Sequence, residues 1–437
     1  MSFADEPIDR ESAARLREQG LELRLVDAAD PDAFVAWHRA SERGFYEPAD
    51  PELRRKTREG AGHRRTTGVY DGTIPEPAVP VATVQSWVAP LSVPGGDVEL
   101  WAISSVTVSP THRRRGVARA MLESELRTAA RAGAPLAGLV ASEATIYGRF
   151  GFAIASLAEE LVVETRRVRW AGPQAPGRIR FISPEALHAH RRDIVERARA
   201  RQPGELSYDD FVLDRVTGAV ATDAERAKLH LVRYDDAAGV PQGFAVYEVD
   251  EPVPGARFDE HPATLKYLVA ATEEAGLALW RHVLELDLVS TVRAWLRPRD
   301  EPMLELLGDP RAAQRRLLDD LWLRVLDVPA AFGARRYSAP GRFALAVEDP
   351  YGFAAGHWLL EVDSAGAGAV VRLDGEAPAD AAALALTANE LAALYLGGVS
   401  AATLARAGRV AERTPGAAAL LDGALRAAHP AWLSVYF

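Results

Sequence analysis

The chain has 437 residues, 48% of them apolar and 26% charged, a net charge of −10 and no cysteine. That composition predicts a globular protein of two or three domains and excludes disulfides, thiolate metal sites and a cysteine acyl-enzyme. The negative balance argues against a nucleic-acid binder, and no apolar run reaches the ~20 residues that span a bilayer.

Metal chemistry has no support either, because the ten histidines show no HExxH or paired spacing. The polar start MSFADEPIDRES carries no apolar signal region, so a cytoplasmic protein is expected.

In chain order, residues 31–60 read as helical, with apolar positions at helix spacing in PDAFVAWHRASERGF. RRTTGVYDG, PVATVQSWVAPLSV and ELWAISSVTVSP read as strands, rich in β-branched and aromatic residues and bounded by Pro and Gly. THRRRGVARAMLESELRTAARAG predicts a helix that stops at Gly133, LAGLVASE a short buried strand, and ATIYGRFGF follows. The result is an α/β first domain, residues 1–165.

WAGPQAPGR is a Pro/Gly break. Beyond it the order of elements starts again: strand RIRFIS, helix PEALHAHRRDIVERARAR, strands KLHLVRYD, QGFAVYEVD and TLKYLVAA, helix EEAGLALWRHVLELD and strand STVRAWLRP. The repeated order hints at a duplication, with a second domain at residues 166–325. From residue 326 to 437, hairpin-like strands (GRFALAVEDP, GHWLLEVDSAG, AVVRLDGE) and Ala/Leu-rich helices predict a small third α/β unit, closed by a final strand AWLSVYF.

VTVSPTHRRRGVARAM (106–121) is the stretch that predicts chemistry. A strand ends, a basic turn follows, and Gly116 opens a helix. The unpaired N–H groups of a helix N-terminus and the positive end of its dipole make an anion site. Gly116 and Ala118 keep the first turn bare, and Arg113, Arg114 and Arg115 add permanent charge. A pyrophosphate is expected there; the alternative is a basic surface turn that merely caps the helix. A second signal is IYGRFGF (146–152), where Tyr147 precedes the Gly151–Phe152 pair.

The first string resembles the acetyl-CoA motif of the GNAT acetyltransferase superfamily. The resemblance implies that Val106, Thr107 and Val108 offer backbone groups to the pantetheine arm. Arg113, Arg114, Arg115, Gly116, Val117, Ala118 and Arg119 would surround the phosphates, with Ser142 and Glu143 lining the cosubstrate. Tyr147 is then the expected general acid for the leaving thiolate, since a phenol with a pKa near ~10 can protonate it.

The whole chain resembles the enhanced intracellular survival (Eis) family of GNAT N-acetyltransferases. The residues that carry this are SPTHRRRG, SEATIYGRFGF, LWLRVLDVPAAFGARRY, LAALYLGGVSAATLARAGRV and the terminal aromatic. The resemblance implies tandem GNAT-like folds on mixed sheets, followed by a sterol-carrier-like domain; in the second fold TEEAGLALWRH has acids where the arginines should be, so no cofactor is expected there. It also implies that the terminal carboxylate of Phe437 is the general base, that Ser104 lies near it, and that the chain forms a homo-hexamer.

The expected reaction is direct acetyl transfer from acetyl-CoA, without metal, to amines of cationic substrates such as aminoglycosides, polyamine-like compounds or lysine side chains. Glu47 and Asp50 are candidates for the acceptor cleft. The place beside the terminal residue, often acidic in the family, holds Tyr436, which points to a narrower or more aromatic amine. Two rival readings remain open: transfer to protein lysine or a small metabolite amine with no aminoglycoside activity, and a non-enzymatic acyl-CoA or lipid-binding protein.

Overall fold

The computed structural model describes residues 3–437; Met1 and Ser2, the first two residues of the polar start, lie outside it. Six strands come first: β1 Leu21–Leu25, β2 Arg65–Asp71, β3 Ala82–Val93, β4 Gly96–Val108, β5 Leu136–Val140 and β6 Ala153–Ile154. Seven follow: β7 Leu157–Glu164, β8 Arg178–Phe181, β9 Leu229–Asp235, β10 Pro241–Val249, β11 His261–Ala270, β12 Val289–Arg297 and β13 Ala313–Asp319. Next comes β14, Leu321–Val325.

The first sheet runs β1-β2-β3-β4-β5-β14-β6 and the second β8-β9-β10-β11-β12-β7-β13. In each, the fourth and fifth strands are parallel and the other neighbours antiparallel. The repeated order of elements is therefore a repeated sheet. In each sheet the sixth strand is supplied out of chain order. The chain leaves the first unit between Ala155 and Ser156 and returns between Asp320 and Leu321.

One compact unit comprises the chain up to Ala155, Leu321–Ala427 and Phe437; the other comprises Ser156–Asp320 and Ala428–Tyr436. In the first unit the helix Val117–Arg131 buries Val117, Ala120, Met121, Leu122 and Leu126 against Trp101, Ile103 and Leu139 of the sheet. The same unit holds a mixed five-stranded sheet of β15 Gly341–Glu348, β16 Gly356–Val362, β17 Gly368–Arg372, β18 Ala382–Thr387 and β19 Ala411–Glu412. In the second unit, Leu161, Val163, Val232, Leu279, Trp280 and Val292 are fully buried.

The helical stretch read over 31–60 is two helices, Pro31–Phe45 and Pro51–Ala61, because Tyr46 turns left-handed at φ 60°. β7, β13 and β14 were not anticipated. The final strand expected from AWLSVYF does not form: residues 428–437 pair with no ladder. Their backbone finds side-chain partners instead, as described below.

Arg324 of β14 is fully buried and holds the equally buried Asp349 through one nitrogen at 2.7 and 2.6 Å. Removing one member of such a pair strands a charge in the interior. Arg324→Ala should cost about 3–5 kcal/mol, read as a lower urea midpoint for the first unit.

Candidate functional site

β4 and β5 pair only from Leu100–Leu136 to Ala102–Gly138. Beyond that they part, and β4 from Ser104 to Val108 has no ladder partner on the β5 side. A bulge marks the place. Ser104 faces Gln85 and Thr107 faces Thr83, so Ser105 and Val106 together oppose Val84. Ser105 takes φ 54°, and the Thr83 hydroxyl donates to its carbonyl at 2.8 Å. On the other side, Gly44 of the helix Pro31–Phe45 lies so close that a Cβ there would meet Thr107 Cβ at 2.5 Å.

Gly116, at φ 74°, caps the helix Val117–Arg131 with no side-chain hydrogen bond, and a Cβ added there would meet nothing. The N–H groups of the first turn are open, as an anion site requires. Arg113 and Arg114 are exposed and make no ion pair among the described residues; Arg114 is left-handed at φ 63°. Arg119 holds Glu123 at 2.7 Å, and Arg115 turns away to the carbonyl of Gln19 at 3.2 Å. The turn itself is pinned by buried His112, whose Nε2 meets Asp71 at 3.0 Å.

This opening is a cavity of about 750 Å³. Its walls include Val106, Thr107, Val108, Arg113, Arg114, Gly116, Val117, Ala118, Arg119, Ser142, Glu143 and Tyr147. Arg115, Ser104 and Phe437 are not among them. The parted strands, bare helix start and free guanidinium groups fit an acyl-CoA: extended backbone for the pantetheine amides, N–H groups and charge for the pyrophosphate.

Tyr147 is 4% exposed, and burial pushes its phenol above the ordinary value, opposed in part by Ser142. It therefore holds its proton at neutral pH and can donate it. Its ring stands edge-on to Phe152 at 6.2 Å.

Phe437 meets Trp87 edge-on at 5.4 Å, and the Arg64 guanidinium covers the Trp87 ring at 3.8 Å. Trp87 and Gln85 share one face of β3, and Ser104 opposite Gln85 shares it too. Ser104 and Phe437 thus meet the same face of the first sheet.

Asp50 spends an oxygen on capping the helix Pro51–Ala61, accepting from Glu52 and Leu53 at 2.9 and 3.0 Å. Neither Glu47 nor Asp50 lines the cavity, whose wall includes Phe45 and the 82% exposed Tyr46. Sequence reasoning also missed Tyr351, a wall residue whose ring packs tilted against Phe150 at 6.0 Å. Only the fold brings a residue two hundred positions away to this crevice.

In the second unit the corresponding place is a smaller cavity, of about 450 Å³, with a different lining. The helix Glu273–Leu284 caps itself through Thr272 and begins with Glu273 and Glu274. Where β11 and β12 part, Arg297 bridges to the Leu268 carbonyl at 3.1 Å and the Trp432 indole donates to the Leu296 carbonyl at 2.8 Å. The last residues of the chain are held there by carboxylates. Leu433 N–H donates to Asp320 at 2.8 Å and Ser434 N–H to Glu205 at 3.1 Å. Burial raises both acids to about 7. Asp320 Oδ1 is buried with no hydrogen-bond partner among the described residues.

Three family descriptions match the chain: acetyltransferase (GNAT) domain over residues 25–155 and again over 204–325, and sterol carrier protein domain over 328–434. An uncharacterised N-acetyltransferase of Streptomyces avermitilis is 35% identical over 95% of this chain and 98% of its own. N-acetyltransferase Eis of Mycobacterium tuberculosis is 36% identical over 73% of this chain and 76% of its own. The structure of Eis1 from Mycobacterium abscessus covers 95% of this chain and all of its own, at a TM-score of 0.77 and 27% identity. No helix among the described residues is long and apolar enough to cross a membrane.

An acid whose folded pKa is raised stabilises the fold below its unfolded pKa, near ~4, and that contribution is lost as pH rises to about 7. Asp320→Asn, neutral at every pH, should leave the melting temperature near native at pH 5 and raise it by about 3 °C or more at pH 8. A thermal melt across pH 5–8 checks this.

Proposed function

This chain belongs to the GNAT N-acetyltransferases that include Eis, and within that family we propose that it acetylates small cationic amines by direct attack in a ternary complex with acetyl-CoA. The observation that carries the reading is the single cavity that joins the bare helix start at Gly116, Arg113 and Arg114, the unpaired edge of β4 and the buried phenol of Tyr147.

In this reading Val106, Thr107 and Val108 hold the pantetheine through backbone groups, and the turn from Arg113 to Arg119 holds the pyrophosphate. Arg115 contributes to the field rather than by contact. Acetyl-CoA supplies the activated acetyl group. The amine nitrogen bonds to the carbonyl carbon and the C–S bond breaks. Tyr147 gives its phenolic proton to the departing sulfur. The terminal carboxylate of Phe437 takes the proton the amine must lose. Its ring against Trp87 fixes the last residue, and Ser104 on the same sheet face steadies the acceptor or an intervening water.

The net charge of −10 favours cationic acceptors by long-range attraction: aminoglycosides, polyamines and lysine side chains. A second reading has its own support. Phe45 and Tyr46 line the cavity as exposed aromatics, and the carboxylate of Asp50 is committed to a helix cap. That mouth suits an amine with a flat apolar body. Cytoplasmic residence and assembly as a hexamer belong to the same proposal, the latter read by light scattering.

Thiol release from acetyl-CoA across a panel of aminoglycosides, polyamines, lysine peptides and arylalkylamines tests the reading. Two glycines added after Phe437 should lower the rate on the best acceptor by about a hundredfold, while acetyl-CoA binding persists. An unchanged rate removes the carboxylate base. Gly116→Val, which forces a β-branched residue to φ 74° over the open helix start, should raise the KM for acetyl-CoA about tenfold or more.

A further inference from the structure

The loop that carries Tyr147 is poorly able to hold its own shape. Tyr147 ends a four-residue helix, Ala144–Tyr147, and one 3-10 turn, Gly148–Phe150, follows. So short a helix is not stable by itself. What fixes it comes from a part of the chain more than two hundred residues away, within the same unit. The two hydrogens of the Asn389 amide go to the carbonyls of Gly148 and Phe152, each at 2.7 Å. That uses its full donor capacity on the two ends of the turn that follows Tyr147.

Asn389 sits in the first turn of the helix Ala388–Leu394, whose start is locked by a capping box between Thr387 and Glu390. Beside the loop, Gly151 at φ 83° lies against the buried Arg324, where a Cβ would meet Nε at 2.7 Å. From Phe152 the constraint passes to the tyrosine by direct contact, edge to face at 6.2 Å.

We propose that Asn389, from the region matched to the sterol carrier protein domain, is a positioning residue for Tyr147, so that this region serves the acetyl-transfer step itself. The inference rests on the acid role given to Tyr147 above. A displacement of about 1 Å at a reacting group can cost up to about a hundredfold in rate, so a brace at both ends of this loop is placed to matter.

The test is a double-mutant cycle on the full-length enzyme with the fastest acceptor of the amine panel: native, Tyr147→Phe, Asn389→Ala and the pair, with Asn389→Asp as a fifth protein. All are assayed across pH at a temperature where melts show them folded. Asn389→Ala should lower kcat about tenfold, change the KM for acetyl-CoA less than about threefold and shift the basic limb of the kcat profile. On the Tyr147→Phe background it should add less than about twofold. Asn389→Asp keeps the size but turns a carboxylate on two carbonyls, and should be at least as slow as the alanine variant.

If Tyr147→Phe turns over like the native enzyme, the acid assignment falls and this proposal with it. If Tyr147→Phe is slow but Asn389→Ala is native-like, or the two losses multiply, the acid stands and the positioning role alone is overturned. Native kcat in Asn389→Asp would overturn it as well, because the donors would then not matter.

Discussion

Two parallel strands that stop pairing are the constraint on which the site depends. Between Ala102 and Val108, β4 loses its β5 partner while keeping β3, so one edge of its backbone is left for something other than the sheet. Buried backbone groups in that position must find partners. In the first unit the opening ends at an uncapped helix start with a left-handed glycine, so polar backbone and positive charge lie along one continuous wall. An acyl-CoA has the matching sequence of amides and phosphates.

The second unit repeats the sheet, strand for strand, and fills part of the same gap with its own side chains. Thr272 caps the helix, two glutamates occupy its first turn, and Arg297 and Trp432 take the carbonyls where β11 and β12 part. The same topology thus yields one crevice with a bare, basic helix start and a smaller one, of about 450 Å³, with a capped, acidic helix start. The difference lies in a few side chains at the helix start and in a segment from the end of the chain. Gly204 belongs to this arrangement: at φ 91°, it lies where a Cβ would press on the backbone of Trp432 at 2.9 Å.

Residues 321–427 belong structurally to the first fold. β14 is the sixth strand of its sheet, and Arg324, Tyr351 and Asn389 surround the loop that carries Tyr147. Buried ion pairs such as Arg324–Asp349 add little net stability, but once formed they tolerate no loss of a partner.

Strands rich in β-branched and aromatic residues between Pro and Gly, helices with apolar residues at helix spacing, the arginine turn and its glycine were legible from local residues alone, because local sterics and patterning determine them. So was the repeat of elements after the Pro/Gly break. β7 and β13 were not. LAEELVVE and AQRRLLD carry charges that look solvent-facing until their register sets Arg315 on Glu159 and Arg316 on Glu160, each at 2.7 Å. The end of the chain is the other case. The sequence by itself determined that AWLSVYF is too apolar to remain in water. Only the tertiary structure decided that it forms no strand, because Asp320 and Glu205, buried and distant in sequence, take the backbone N–H groups a sheet would have used.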